Sequence, residues 1–378
     1  MSSLAPLQLD SSISGERRAI HARWVLPVTS PPISDGVVVV KGGRIESVGD
    51  RSLLSGFSDE EIVALPDAAL LPGLVNAHTH LEFSGCPAPL GDPGDSFAAW
   101  LHEVISRRRE SFAAETEEVR AQRRSDAVAS GVVESRAASI VALGDIATPG
   151  WPADVLPTPH DLQVVVFLEL LGLSTDRAAM LQAAAREHLA SSSGRNGKNQ
   201  GHDASDSDTP KSWSGETRDS LIRGLSPHAP YTVSPDLVAW AASMSAETGA
   251  PVAMHLAESF DEYELISAHS GQLVDVLREF NAWHPAAVPR GIRWRDYLEL
   301  LAHAARALVV HGNFLGPDDW RLLADQRDTM SVVYCPRTHA RFRHGAYPLA
   351  EMLAAGARVA VGTDSRATNP DLQLWQDL

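Results

Sequence analysis

Two cysteines in 378 residues, Cys86 and Cys335, are too few for a disulfide framework. They stand far apart and form no C-x-x-C pair, so a reducing compartment, the cytoplasm, is expected. Long apolar runs are also missing. The most hydrophobic stretch, Val164 to Leu173, is interrupted by Glu169 and is too short to span a bilayer. The N-terminal MSSLAPLQLDSSISGERR lacks the charged start and apolar core of a secretion signal. Basic side chains are scarce: 32 Lys and Arg face 48 Asp and Glu, for a net charge of −16. That balance argues against nucleic acid and against an anionic membrane surface as partners, since both need basic patches. Its ordinary role is solubility.

What remains is a globular composition, 44% hydrophobic and 21% charged, in a chain long enough for one large α/β domain or two ordinary ones. Residues 1–16 read as a loose polar tail. Val37–Val40 is a β-branched run, Gly42-Gly43 a turn signal and Arg44–Val48 an alternating run, together a hairpin. From Leu74 onward the pattern changes to eight strand-like runs: Leu74–Ala77, Ile140–Leu143, Val164–Leu168, Ile222–Leu225, Val252–Met254, Ala307–Val310, Val332–Tyr334 and Val359–Val361. Most are continuous apolar runs, as strands buried on both faces of a parallel sheet require. Helix-like stretches lie between them: Phe97–Ala129, Asp176–Leu189, Pro235–Thr248, Leu273–Phe280, Trp294–Ala305, Asp318–Gln326 and Leu349–Ala355. Eightfold alternation predicts a closed α/β barrel. Residues 191–220 are polar and rich in Gly and Ser, and are expected to be a disordered insertion in which His202 is solvated.

In such a barrel the chemistry follows the C-terminal ends of the strands. The polar residues there are His78, His80 and Glu82 after the first run, then Asp145, Glu169 and His228. His255 and Glu258 follow the fifth run, His311 and Asn313 the sixth, Cys335, Arg337 and His339 the seventh, Asp364 and Ser365 the eighth. His-x-His puts two imidazoles on one side of an extended strand. Alone, that pattern fits two half-exposed histidines better than a metal site. Joined by His255 and Asp364 it describes a catalytic metal site with an open position, suited to zinc, with iron the alternative. Glu258, three residues past His255, must lie where the strand has turned into a loop. It is a proton-shuttle candidate, or a glutamate at the start of a helix in ESFDEYEL. His311 could equally be a satisfied core histidine. Cys86 and Cys335 read as small buried hydrophobes, and Trp100, Trp240, Trp283 and Trp294 as packing residues.

LLPGLVNAHTHLEFS, SPHAPYTVSPDL, MHLAES, VVHGNFL, VVYCPRTHA and VAVGTDS, in that order, resemble consecutive signatures of the amidohydrolase superfamily. They are most similar to its cytosine deaminase and chlorohydrolase-like branch, which includes aminodeoxyfutalosine and nucleoside deaminases. The resemblance runs from about Arg18 to the end of the sequence. It implies a distorted (β/α)8 TIM barrel over residues 71–378 and a small β-sandwich of which residues 17–70 form the N-terminal part. Its C-terminal part is expected to be missing, because relatives continue well past the GTDS motif. The resemblance implies one divalent metal held by His78, His80, His255 and Asp364, with Glu258, His311 and Asp364 catalytic. No strand-four lysine for a two-metal site is evident. By the same resemblance His228 contacts substrate; Glu82, Glu169, Arg337 and Ser365 are candidates for such contacts by position. The implied reaction is hydrolysis of a non-peptide carbon–nitrogen bond by metal-activated water, with deamination of a purine-like or nucleoside-like heterocycle preferred. A chlorohydrolase or cyclic amidase with the same residues is the alternative, and a truncated, non-catalytic binding protein the third. A small heterocyclic substrate and a homodimeric assembly complete the expectation.

Overall fold

The computed structural model describes residues 16–156, 162–191 and 221–378. The tail up to residue 15, and the proposed insertion from residue 192 on with His202, lie outside the described residues. The chain forms two compact units, Met1–Leu74 and Val75–Leu378.

The first unit is a four-stranded sheet in the order β3-β2-β1-β4, with β1 Arg17–Val25, β2 Ile33–Lys41, β3 Arg44–Asp50 and β4 Ile62–Leu70. β2 and β3 form the expected hairpin. Both loop glycines, Gly42 and Gly43, take positive φ (56° and 72°), which is what a two-residue turn between twisted strands demands. β1 joins β2 antiparallel and β4 parallel, and Ala19, Val37 and Val39 are buried along it.

The second unit is an eight-stranded sheet: β5 Leu74–Thr79, β6 Ile140–Ala147, β7 Gln163–Leu170, β8 Leu221–Pro227, β9 Val252–Leu256, β10 Ala307–His311, β11 Met330–Tyr334 and β12 Val359–Val361. Each of the eight apolar runs lies inside one of these strands, and the strands neighbour one another in chain order. The helices are α1 Phe97–Ala114, α2 Glu117–Ala137, α3 Thr175–Ala190, α4 Pro235–Thr248, α5 Phe260–Ala268, α6 Gln272–Glu279, α7 Trp294–Leu301, α8 Pro317–Asp325, α9 Pro336–Arg341 and α10 Leu349–Ala355. None of the described helices is long and apolar enough to cross a membrane.

The stretch expected as one helix from Phe97 to Ala129 is two. Thr116 ends α1 and caps α2, its side chain accepting the Val119 N–H, and a capping threonine competes well with continued helix. α4 matches its sequence signals closely. Ser234 caps it, Pro235 occupies the first turn and Gly249 at φ 76° closes it.

Strand alternation builds two cores. Met254 and Leu256 of β9 face the helices, where they join Leu225, Val309 and Tyr297 at 0% exposure. Ala253 faces inward, with Phe167, Val310 and Val333. Each such large apolar side chain contributes about 1.5–3 kcal/mol by burial. Between β12 and β5 specific polar bonds close the ring. Asn76 Nδ2 donates to Thr363 Oγ1 at 2.8 Å, Asn76 Oδ1 accepts the Thr363 N–H at 3.0 Å, and the Asp364 N–H donates to the His78 carbonyl at 3.0 Å. Gly362 permits this approach, since a Cβ there would lie 2.9 Å from the His78 Cβ.

Candidate metal centre and active site

The inward-facing end of the barrel gathers His78 from β5, His80 just past it, His255 from β9, His311 from β10 and Asp364 just past β12. The donor atoms of His78, His80 and His255 all lie within 4.8 Å of one another, and so do those of His78, His311 and Asp364. His80 Nε2 is 3.2 Å from His255 Nε2, and Asp364 Oδ1 is 3.5 Å from His78 Nε2 and 3.9 Å from His80 Nε2. Backbone strain helps to aim these groups. Val309 faces the helices and Val310 the interior, so alternation would send His311 outward; its φ of 71° turns the ring into the site. Asp364 is likewise left-handed at φ 57°. Such conformations cost roughly 1–2 kcal/mol each and persist where surrounding structure enforces them.

The residues fit a divalent cation. His78 is 1% exposed, yet neither of its ring nitrogens has a hydrogen-bond partner among the described residues. An unpaired buried polar group costs about 1–3 kcal/mol, which a coordinated ion would offset. Burial, then the neighbouring imidazoles of His255 and His228, holds His78 well below the usual histidine range. Burial likewise depresses His80, and lowers His255 to about 4. Neutral imidazoles are the ligand form. His255 Nδ1 lies 3.1 Å from the His228 carbonyl, so Nδ1 carries the proton and Nε2 presents its lone pair to the cluster. The carboxylate of Asp364 is held at both oxygens. Oδ1 accepts the Ser365 N–H at 2.7 Å and Oδ2 accepts the Thr338 hydroxyl at 2.9 Å. Asn369 Nδ2 donates to Thr338 Oγ1 at 3.0 Å, which directs the threonine proton to Asp364.

Glu258 stands beside this cluster, 5% exposed, with Oε1 3.4 Å from His311 Nε2. β9 ends at Leu256, Ala257 turns the chain at φ 56°, and Ser259 caps α5. Glu258 therefore precedes a helix and also folds back to the cluster. Burial first, then the carboxylates of Asp364 and Glu262, raises it well above the usual carboxylate range. Below it Glu262, fully buried, accepts the Ala257 N–H (2.9 Å), the Glu258 N–H (3.3 Å) and the Trp294 indole N–H (2.6 Å). Asn313 Nδ2 fixes the Glu258 carbonyl at 2.8 Å.

The candidate substrate contacts separate. His228 and Glu169 face one another at the rim, Nε2 to Oε1 3.7 Å, and the His228 ring lies 4.8 Å from that of His255. Burial pushes His228 down to about 3 and Glu169 upward. Ser365 serves Asp364 through its N–H. Glu82 Oε1 accepts the Thr148 N–H at 2.9 Å, with Arg108 3.9 Å from its other oxygen. Arg337 is engaged elsewhere, bonding Asp371 at 2.7 Å and Asp377 at 2.9 Å, and so pins the last residues to α9. His339 bonds the Gly345 carbonyl. Asp145 braces the turn after His80, accepting the Leu81 N–H at 2.8 Å and the Trp151 indole N–H at 2.7 Å. Sequence reasoning missed Asn76, Thr338, Asn369 and Glu262, polar residues that hold the cluster from behind. Glu262 alone carried a signal, as a glutamate one helical turn after Glu258.

Known proteins agree with this architecture. The profile of the amidohydrolase family matches residues 69–378. The aminodeoxyfutalosine deaminase of Deinococcus radiodurans is 29% identical over 359 residues, covering 91% of this chain and 75% of that protein. The crystal structure of Helicobacter pylori aminofutalosine deaminase in complex with methylthio-coformycin superposes with a TM-score of 0.75 at 22% identity, over 95% of this chain and 79% of that one. An adenosine deaminase from Xanthomonas campestris with bound zinc gives 0.67 at 22% identity, over 95% and 71%. The likeness to both structures is one of fold. Eight parallel strands closed on a His-x-His strand, and a family profile running from the first of them to the last residue, mean that the chain belongs to the amidohydrolase family.

Proposed function

We propose that this chain is a metal-dependent aminohydrolase that deaminates an adenosine-like heterocycle, with His78, His80, His255 and Asp364 as the ligands of one divalent ion, zinc in first place. The observation that carries the reading is the convergence of the imidazoles of His80, His255 and His311 and the carboxylate of Asp364 around the unpaired nitrogens of His78, with Glu258, raised by burial well above the usual carboxylate range, alongside. The names of the similar deaminases supply the substrate class, and the bound zinc of one neighbour supports the metal.

A divalent ion held there would bring the pKa of a water to about 7 and so make a nucleophile available at neutral pH. The protein's own groups do the rest. His311, neutral and 2% exposed, offers Nε2 as an acceptor that orients the attacking water. Burial raises Glu258 well above the usual carboxylate range, so it can donate a proton to the ring nitrogen next to the carbon under attack. That carbon becomes tetrahedral, and the C–N bond to the amino group is set to break. The resulting Glu258 carboxylate then collects one proton of the added water and passes it to the departing amine, which leaves as ammonia, and the second proton of that water returns to Glu258 as the carbonyl forms. His228 and Glu169 border the opening and are placed to hold the heterocycle.

The test is ammonia release from a panel of adenosine-like nucleosides by the zinc-loaded chain. Glu258→Gln should retain its metal and lose roughly 10²- to 10⁴-fold in kcat. An undiminished rate in Glu258→Gln, or no ammonia from any member of the panel, would refute the reading.

A further inference from the structure

The backbone that carries His311 is strained in a specific way. Its φ is 71°, and the Gly312 N–H donates back to the Val310 carbonyl at 3.2 Å, so His311 is the central residue of a γ-turn of the rare, strained kind. Gly312 follows in the left-handed region at φ 62°. A glycine at that point lets the peptide between the two residues reorient at little steric cost. An extended His311 would follow the alternation of β10 and turn its ring to the helix side, away from Glu258 and the cluster. The ring stays in the site only while the plane of that one peptide is fixed.

Two hydrogen bonds fix it, one at each end. The Gly312 N–H also donates to the Leu256 carbonyl at 3.0 Å, which continues the pairing of β10 with β9. On the other side the β10–β11 register ends at Val310 and Val333, one residue short of His311. There the His311 carbonyl accepts the Tyr347 hydroxyl at 3.0 Å. Tyr347 comes from the loop between α9 and α10 and is itself well seated. Its ring lies flat on Tyr334 of β11, centroids 3.7 Å apart, and edge-on to His339 at 5.5 Å. It packs against the helix-side core that holds Val309 and Val332. Burial pushes its phenol further above the ordinary range, so the hydroxyl keeps its proton and donates at any working pH.

We propose that Tyr347 is the positioning residue for His311: by holding the His311 carbonyl it keeps the imidazole turned into the site, with Nε2 3.4 Å from Glu258 Oε1. The proposal rests on the aminohydrolase reading for the task that His311 performs, the orienting of the attacking water. Tyr347→Phe keeps the ring and its stacking and removes only the donor. In zinc-loaded protein assayed by ammonia release from an adenosine-like nucleoside, kcat should fall roughly tenfold or more while KM stays within about twofold, because an orienting group acts in the transition state. Tyr334→Phe removes the hydroxyl of the stacked partner and should leave kcat unchanged. The loss from Tyr347→Phe should vanish when it is made together with His311→Ala, as expected of a residue that acts through another.

A second readout needs no turnover. In protein with isotopically labelled histidine rings, the magnetic resonance signals of His311, assigned by their loss in His311→Ala, should move in Tyr347→Phe while circular dichroism stays unchanged. An undiminished kcat in Tyr347→Phe, a loss of equal size with and without His311, or His311 signals that do not move would overturn the assignment. A wild-type chain that releases no ammonia, with His311 signals that still move in Tyr347→Phe, would leave the positioning role standing and defeat the aminohydrolase reading instead.

Discussion

Glu262 is the buried acid whose replacement has a calculable effect. Burial dominates its titration and raises it from an ordinary 4.5 to about 7, against the opposing pull of three N–H donors from Ala257, Trp294 and Glu258. The folded state therefore keeps a proton that the unfolded chain gives up near 4.5. Below that pH both states are protonated, and the contribution is fully present. Between about 4.5 and about 7 the folded state binds more protons, so stability falls as pH rises, and above about 7 the contribution is gone. A shift of this size corresponds to about 3 kcal/mol, at 1.36 kcal/mol for each pH unit. Glu262→Gln removes the titration while keeping the shape. Urea denaturation at about pH 4.5 and about pH 8 should then show wild-type protein losing about 3 kcal/mol more across that interval than the variant. Parallel pH profiles would refute the reasoning. They would mean that the three N–H donors outweigh burial and keep Glu262 ionised throughout.

Other expectations follow from the same contacts. Asn76→Ala leaves the Thr363 N–H and hydroxyl without their closing partner, and should cost about 2–4 kcal/mol in denaturant unfolding. Thr338→Val removes the hydroxyl on Asp364 Oδ2 with little change of volume; metal affinity should fall roughly 10- to 100-fold in chelator competition while the melting temperature moves little. Gly362→Ala drives a methyl group to 2.9 Å from the His78 Cβ, so it should lower both stability and metal content, read by calorimetry and elemental analysis.

The barrel was legible because parallel strands buried on both faces read as plain apolar runs, and each run ended in a residue with chemistry. Val252–Met254 followed by His255, and Ala307–Val310 followed by His311, show the pattern. Tertiary capping was less visible. Thr116 splits one long helical stretch into α1 and α2, and α9 was hidden because it starts directly off a strand end. The sandwich implied by resemblance is, over β1–β4, a single sheet. At the site, the residues facing the cluster could be listed from the sequence, since strand ends fix where they point. Those gripping them from behind could not. Thr338 meets Asp364 across 26 positions, Asn369 meets Thr338 across 31, and Asn76 meets Thr363 across 287. Arg337 shows the reverse error. A strand-end arginine looks like a substrate contact until Asp371 and Asp377 are seen to occupy it.

The central claim is the metal site, and the direct measurement is elemental analysis of the purified chain beside His78→Ala and Asp364→Ala. The account predicts about one divalent ion per wild-type chain, lost in both variants while circular dichroism stays unchanged. Well-folded wild-type protein that takes up no ion from zinc-containing buffer, or variants that retain it, would contradict the account.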